Sequence, residues 1–122
     1  MNSENTNNLN IDIDAISQLL RIRPHIYVKL MKSFAESLTQ KLTLFNDALA
    51  SNDRDQMRMI LHEIKGTAGN LRLNNIIGPE TVLHTAVKAG EQQIILLKHF
   101  EILKAETENL QQYLAKIDLP PN

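Results

Sequence analysis

Apolar side chains recur at helical spacing along most of the chain. In the second quarter of the sequence they follow steps of three or four residues, which is typical of one amphipathic helix. The apolar positions of this stripe are Tyr27, Met31, Phe34, Leu38, Leu42, Phe45 and Leu49. Pro24 suits the first turn of the helix, because the N–H that proline lacks would have no partner there. Asn52 or Asp53 can cap the next helix.

Two further stripes have the same spacing. One consists of Met57, Ile60, Leu61, Ile64, Ala68 and Leu71, and the other of Leu96, Phe100, Leu103, Thr107, Leu110, Leu114 and Ile117. Shorter helices are predicted near Ile11–Leu20 and Pro79–Ala89, with Gly90 as a C-cap and Pro120-Pro121 as the final stop. These patterns predict an all-α fold, an up-down-up-down four-helix bundle with a short additional N-terminal helix.

Composition agrees with a single small domain. The chain has 122 residues, a net charge of −1 and no cysteine, which excludes disulfides, thiolate metal sites and cysteine nucleophiles. Its first residues are polar, without the charged and apolar regions of a signal peptide, and no run is long enough to span a membrane. We therefore expect a disordered tail over residues 1–10, one domain over 11–119 and a cytoplasmic protein with no membrane contact.

The helix that carries the stripe from Met57 to Leu71 also holds a histidine that points away from this stripe. At about 100° per residue, His62 lies roughly 145° from the centre of that stripe, so it is predicted to face solvent. Gly66 and Gly69 lie beside it, although each glycine inside a helix costs roughly 1 kcal/mol relative to alanine. Helix propensity does not explain them. They leave the surface beside the imidazole bare, which indicates that a partner approaches closely.

Three cations surround this bare surface. Arg58, Lys65 and Arg72 are predicted to form a local positive stripe beside His62 on an otherwise neutral protein. A neutral imidazole is a good nucleophile near neutral pH, and a phosphoryl group passing to it needs cationic stabilisation and room. Lys65, three residues after His62, can reach the phosphoryl oxygens. The pattern favours phosphoryl transfer on His62.

The run H-E-I-K-G-T-A-G-N-L, residues 62–71, resembles the signature of histidine-containing phosphotransfer (HPt) domains of bacterial phosphorelays. The resemblance extends from about Asp12 to Ile117. It implies that His62 is the phosphorylated residue, that Lys65 assists phosphoryl binding and that Gly66 is the small residue beside them.

The chain departs from this family pattern at three positions. Arg72 stands where the family usually has glycine, and His84 matches a position that often holds glutamine or glutamate. Pro79 falls where the family's helix is normally continuous, so we expect that helix to start late or to kink. His84 is either an acceptor for a hydrogen bond from His62 that orients the imidazole, or an ordinary structural residue.

The resemblance implies a stand-alone phosphorelay intermediate. It would accept a phosphoryl group on His62 from a receiver-domain aspartate or a sensor histidine kinase and pass it to another receiver domain. The chain has no glycine-rich nucleotide loop, so it is not an ATP-dependent kinase. We expect no cofactor and no metal on this chain, with Mg²⁺ on the receiver. The basic stripe is small and lacks interleaved aromatics, so nucleic acid is not an expected partner.

Docking of the receiver is predicted to use the surface around His62 and the first helix. The candidate docking residues are Arg58, Met59, Gly69, Arg72, Ile13, Ile16 and Leu20. The protein is expected to be a monomer. Two other interpretations stay open at this point: a non-catalytic helical-bundle adaptor that binds a receiver domain, and a helical homodimer.

Overall fold

The computed structural model describes residues 9–117, and they form five α-helices and no strand. The helices are α1 (Ile13–Leu20), α2 (Pro24–Ala50), α3 (Arg54–Asn70), α4 (Asn74–Lys88) and α5 (Gln93–Lys116). The all-α class is therefore confirmed. Most of the predicted tail (residues 1–8) and the predicted stop at Pro120-Pro121 lie outside the described residues.

Two helices begin directly after an aspartate that caps them, and Asp53 is one of the two residues predicted for that role. Asp12 accepts a hydrogen bond from the backbone N–H of Ala15 at 3.0 Å, and Asp53 accepts one from that of Gln56 at 3.1 Å. Each bond satisfies a backbone donor that has no partner within the helix. Pro24 occupies the first turn of α2, where its missing N–H leaves no bond unmade.

The four long helices surround one core. In sequence order each packs against the next, and α5 packs back against α2, whereas α1 packs against α2 alone. The apolar stripes predicted for α2, α3 and α5 are buried in this core, with Ile117 half-buried at its end. Phe45 of α2 and Phe100 of α5 stack with ring centroids 5.1 Å apart. The core of the protein is thus built from the side chains that the helical periodicity predicted to be buried.

The start of α4 was predicted too late. The helix begins at Asn74 and runs through Pro79, whereas a start near Pro79 was expected. A proline inside a helix removes one backbone hydrogen bond and crowds the preceding turn. Here the residues ahead of it are anchored, because Leu73 and Ile76 are buried in the core. Burial of these side chains outweighs the local cost of Pro79.

Left-handed residues follow the ends of α3 and α4. Gly90, predicted as the C-cap of α4, has a φ of 75° just after that helix. Arg72 has a φ of 59° just after α3, so it is not part of the helical stripe in which the sequence placed it. The backbone N–H groups of Arg72 and Leu73 donate to the carbonyl oxygens of Gly69 and Ala68 at 3.1 and 2.9 Å. This pair of hydrogen bonds is the pattern by which a helix ends through one residue in the left-handed conformation.

Candidate functional site

His62 lies in the middle of α3 and is exposed, as its position on the helix predicted. It directly follows Leu61, whose side chain is fully buried. Within the described part of the chain, His62 has no hydrogen-bond or ion-pair partner. The bundle fixes the backbone at this point, and the imidazole nitrogens stay accessible to a reactant from outside.

The two glycines of α3 leave open space beside the imidazole. Gly66 is exposed and Gly69 is half-buried, and a Cβ atom built on either would meet no atom within 4 Å. Packing inside the chain therefore does not require glycine at these positions. The free volume belongs to the surface next to His62, where a partner's side chains would need it.

The three predicted cations differ in their surroundings. Lys65 is exposed and has no ion-pair partner among residues 9–117. Arg58 is paired with Asp55 one turn earlier on α3. The guanidinium of Arg72 donates to the carbonyl oxygen of Gly69 at 2.8 Å. Of the predicted positive stripe, Lys65 is thus the cation with neither an ion pair nor a side-chain hydrogen bond among residues 9–117. The pair of Arg58 with Asp55 was missed although its three-residue spacing is visible in the sequence.

The apolar residues proposed for docking fall into two groups. Met59 is 52% exposed on the same side of α3 as His62. Ile13, Ile16 and Leu20 of α1 are instead half-buried and pack against the core. The apolar side chains of α1 and the first turns of α2 that do reach the surface were missed by the sequence interpretation; they are Leu19, Ile26 and Leu30.

A groove between α2 and the end of α3 lies beside this surface. Its volume is about 380 Å³, and its walls include Leu30 and Ser37 of α2 and Thr67 and Asn70 of α3. Thr67 directly follows Gly66, so the groove adjoins the bare surface near His62. It gives a docking partner a concave edge close to the imidazole.

A buried tyrosine links α2 to the end of α3. The Tyr27 hydroxyl donates to the carbonyl oxygen of Leu71 at 2.5 Å. Burial raises the pKa of Tyr27 to about 12, with a further rise from Tyr113 and an opposing effect of Arg72. The phenol therefore stays protonated at neutral pH and holds the last turn of α3 against α2.

His84 makes its hydrogen bond to Glu80 and not to His62. Its Nδ1 lies 3.0 Å from Oε2 of Glu80, one turn earlier on α4, and its side chain is 13% exposed. The predicted hydrogen bond from His62 is absent among the described residues. Glu80 is fully buried and was missed by the sequence interpretation, although the predicted helix over Pro79–Ala89 already held Glu80 and His84 at four-residue spacing.

Residues 9–117 contain no group of three or more histidine or acidic side chains that could hold a metal ion. Over the same residues, no helix combines the length and the apolar character that a membrane span requires.

Comparison with known proteins gives one match. Residues 29–113 match the family model described as Hpt domain, and no curated protein or solved structure matched. The matched region covers more than half of the chain and includes His62, Lys65 and Gly66 on α3. With this match added to the helical fold and the exposed imidazole, the chain belongs to the Hpt domain family, whose members carry out histidine-containing phosphotransfer in two-component systems.

Proposed function

We propose that His62 is the phosphoacceptor and that the protein relays a phosphoryl group between receiver domains, or from a sensor histidine kinase to a receiver. The observation that carries this proposal is an exposed imidazole, free of partners within residues 9–117, beside two helix glycines whose open space nothing in the chain fills. Such a site suits a reactant held by another protein, because the imidazole protrudes from a rigid helix and a second surface can close over it.

The transfer step follows from the chemistry of imidazole. An unprotonated ring nitrogen of His62 attacks the phosphorus of a phosphoaspartate in line. The N–P bond forms as the bond between phosphorus and the aspartate oxygen breaks, and the aspartate leaves as a carboxylate. Attack by an aspartate of a second receiver on the phosphohistidine reverses these changes. No nucleotide takes part on this chain.

Lys65 and Gly66 have different roles in this step. The Lys65 ammonium group, unpaired among the described residues, stabilises the charge on the equatorial phosphoryl oxygens. Gly66, one turn after His62, lets those oxygens and the receiver approach without a side chain in the way. Arg58 contributes less than the sequence suggested, because Asp55 already neutralises part of its charge.

The proposed partner surface combines charge and apolar contact. Lys65 and Arg72 complement the acidic pocket expected of a receiver domain, which also holds the Mg²⁺ in this proposal. Leu30, in the wall of the groove between α2 and α3, and Met59, on α3, are exposed apolar contacts. Ile13, Ile16 and Leu20 hold α1 in place rather than contact the receiver directly. Association should slow at high ionic strength, because attraction between opposite charges is screened.

The remaining parts of the proposal concern the molecule as a whole. We propose a cytoplasmic monomer whose residues 11–119 form one domain. We further propose an up-down-up-down order of α2 to α5, which the three- and four-residue connections between consecutive neighbours favour.

A transfer assay tests the proposed function. The protein is incubated with a receiver domain phosphorylated by a small phosphodonor, and the products are separated and treated with acid or alkali. We expect acid-labile, alkali-stable phosphate on this chain, located at His62 by mass spectrometry under neutral conditions. Binding of the receiver without phosphate on His62 would instead support the adaptor interpretation, and a stable dimer without receiver binding would support the homodimer.

A further inference from the structure

A buried carboxylate on α4 is left without a role by the transfer step. Glu80 is fully buried, its Oε2 lies 3.0 Å from Nδ1 of His84, and its Oε1 has no hydrogen-bond partner among the described residues. Removing a carboxylate from water is costly unless its oxygens are well paired. A residue with one satisfied oxygen therefore contributes poorly to stability, which points to a role through His84.

The contacts of Arg54 place this pair at the level of His62. Arg54, at the start of α3, donates to the carbonyl oxygens of Val87 at 3.5 Å and Glu91 at 2.6 Å. The start of α3 thus lies beside the end of α4, and the two helices run in opposite directions. His62 is eight residues after Arg54, and eight residues before those carbonyls lie residues 79–83. Glu80 is within the range 79–83, and His84 is the next residue after that range.

Helical spacing relates both imidazoles to the boundary between α3 and α4. Arg54 reaches α4, and His62 follows it by eight residues, so His62 lies about 80° further round α3, between the side that faces α4 and solvent. An antiparallel helix pair has a local two-fold axis, so equivalent positions face each other. His62 directly follows fully buried Leu61, and His84 directly follows fully buried Leu83. This equivalence puts both imidazoles at the solvent edge of the boundary between α3 and α4.

We propose that Glu80 is a positioning residue that sets the tautomer of His84 for an interaction with His62. In this proposal Glu80 is a carboxylate, which only accepts hydrogen bonds, so Nδ1 of His84 carries the hydrogen that bonds to it. A neutral imidazole has one N–H, which leaves Nε2 of His84 as an acceptor for a second donor. A buried carboxylate fixes an imidazole in the same way in the serine-protease triad.

The proposed acceptor acts on the nitrogen of His62 that is not phosphorylated. In the free chain the His62 ring is exposed and has no partner among residues 9–117, so rotation about its side-chain torsions is unhindered by hydrogen bonds. When the ring turns toward α4, its N–H donates to Nε2 of His84. This bond holds the proton on one nitrogen and directs the lone pair of the other toward phosphorus. The inference rests on the proposed function of His62.

The first test reads the tautomer without any transfer reaction. Long-range ¹H–¹⁵N correlation spectra of the full chain are recorded near pH 8.5, above the range in which histidine normally titrates. We expect His84 to be neutral with its hydrogen on Nδ1, and to lose that preference in Glu80→Leu. Glu80→Gln should keep it, because the amide oxygen also accepts from Nδ1–H. A hydrogen on Nε2 of His84, or on both nitrogens, would overturn the inference.

The second test is a double-mutant cycle on the rate of transfer to His62. Glu80→Leu should slow transfer about 3- to 10-fold, the loss of one oriented hydrogen bond, whereas Glu80→Gln should restore the rate. In a His84→Gln background the acceptor is an amide oxygen that needs no tautomer, so Glu80→Leu should change the rate less than twofold. Equal losses in both backgrounds would show a merely structural role and overturn the inference.

The two proposals fail in different ways. If no phosphate reaches His62 in the wild-type protein, the proposed function is wrong, and the role of Glu80 in transfer falls with it. If wild-type transfer is normal but the spectra or the cycle give the contrary result, only the inference about Glu80 is wrong. Thermal unfolding of each variant by circular dichroism identifies any rate loss that comes from unfolding.

Discussion

The two faces of α3 share one backbone, but one face is buried and the other is exposed. On one face Met57, Leu61 and Ile64 are fully enclosed by neighbouring helices. On the other, His62 and Lys65 have no partner among the described residues, and the space beside Gly66 is empty. Stability therefore depends on the first face and the proposed chemistry on the second. Substitutions should separate the two properties, because few interactions connect one face with the other.

The largest expected effect on transfer comes from His62→Gln. Glutamine has no nucleophilic ring nitrogen, so phosphate should no longer appear on the chain in the receiver assay. Because His62 is exposed and makes no hydrogen bond or ion pair within residues 9–117, the free energy of unfolding should change by less than about 0.5 kcal/mol. His25→Gln, which removes an imidazole from the start of α2, is the matched control and should transfer normally. Phosphate on the His62 variant at wild-type stoichiometry would refute the assignment.

Ile64→Ala changes the opposite face, two residues away. The side chain is fully buried, so its truncation should lower the free energy of unfolding by about 2–5 kcal/mol, measured by urea denaturation. The fraction that remains folded should accept phosphate at a nearly normal rate. A variant that keeps its stability but loses transfer would show that the two faces are not separable.

Lys65→Ala is expected to have an intermediate effect. Losing one charged contact to the transition state slows transfer on the order of 10²-fold or less. Helix content by circular dichroism should not change, because Lys65 is exposed and makes no ion pair within residues 9–117. Lys65→Arg keeps the charge and should recover part of the rate. A normal rate in the alanine variant would assign the role to another cation.

Gly66→Leu should raise stability while it slows transfer. Leucine is the better helix former by roughly 1 kcal/mol, and the structure offers room for its Cβ. Its side chain would occupy the approach to His62, and displacing the reacting groups should slow transfer about tenfold or more. Gly66→Ala is the size-matched control, since alanine is also the better helix former and adds only a methyl group. It should gain stability with a much smaller loss of rate, and equal losses in both variants would refute the steric role of Gly66.

Tyr27→Phe is expected to have the smallest effect. Tyr27 lies on α2, and its hydroxyl contacts the end of α3. The variant loses the hydrogen bond to the Leu71 carbonyl, which should cost about 1 kcal/mol at neutral pH. Folding raises the pKa of this phenol from 10.0 to about 12. The stabilisation is therefore complete below about pH 10 and is lost as the pH rises toward 12. Denaturation curves of the two proteins should converge over that interval; a constant difference would contradict the shifted pKa.

Much of the fold could be predicted because it depends on periodic burial. The stripes of α2, α3 and α5 are buried as the three- and four-residue spacing indicated, and the exposure of His62 followed from the same geometry. The start of α4 could not be predicted in this way. Pro79 is a strong local signal against a helix, and its effect is outweighed by burial of Leu73 and Ile76, which only the assembled bundle supplies.

The candidate site was predictable in its residue types and less so in its contacts. The glycines are recognisable because glycine is a poor helix former, and Lys65 is recognisable because it lies three residues after the exposed His62. The engagement of Arg58 by Asp55 and of Arg72 by the Gly69 carbonyl depends on side-chain torsions that no spacing determines. The four-residue spacing of Glu80 and His84 was present in the predicted helix, but the burial of Glu80 that makes their contact notable depends on how the helices pack. Sequence patterns thus indicated which groups are present, and the packed structure showed which of them are already paired.

The left-handed conformation of Arg72 affects which residues can replace it at the edge of the surface around His62. The left-handed conformation costs a residue with a side chain about 1 kcal/mol of stability. Glycine at this position would avoid that cost, but its greater freedom in the unfolded chain would lower stability by about 0.4–1 kcal/mol. The guanidinium bond to Gly69 offsets part of the strain. Because these contributions nearly cancel, residue 72 is close to neutral for folding. Selection for one receiver over another could therefore change the charge at this edge while the helix ends as before.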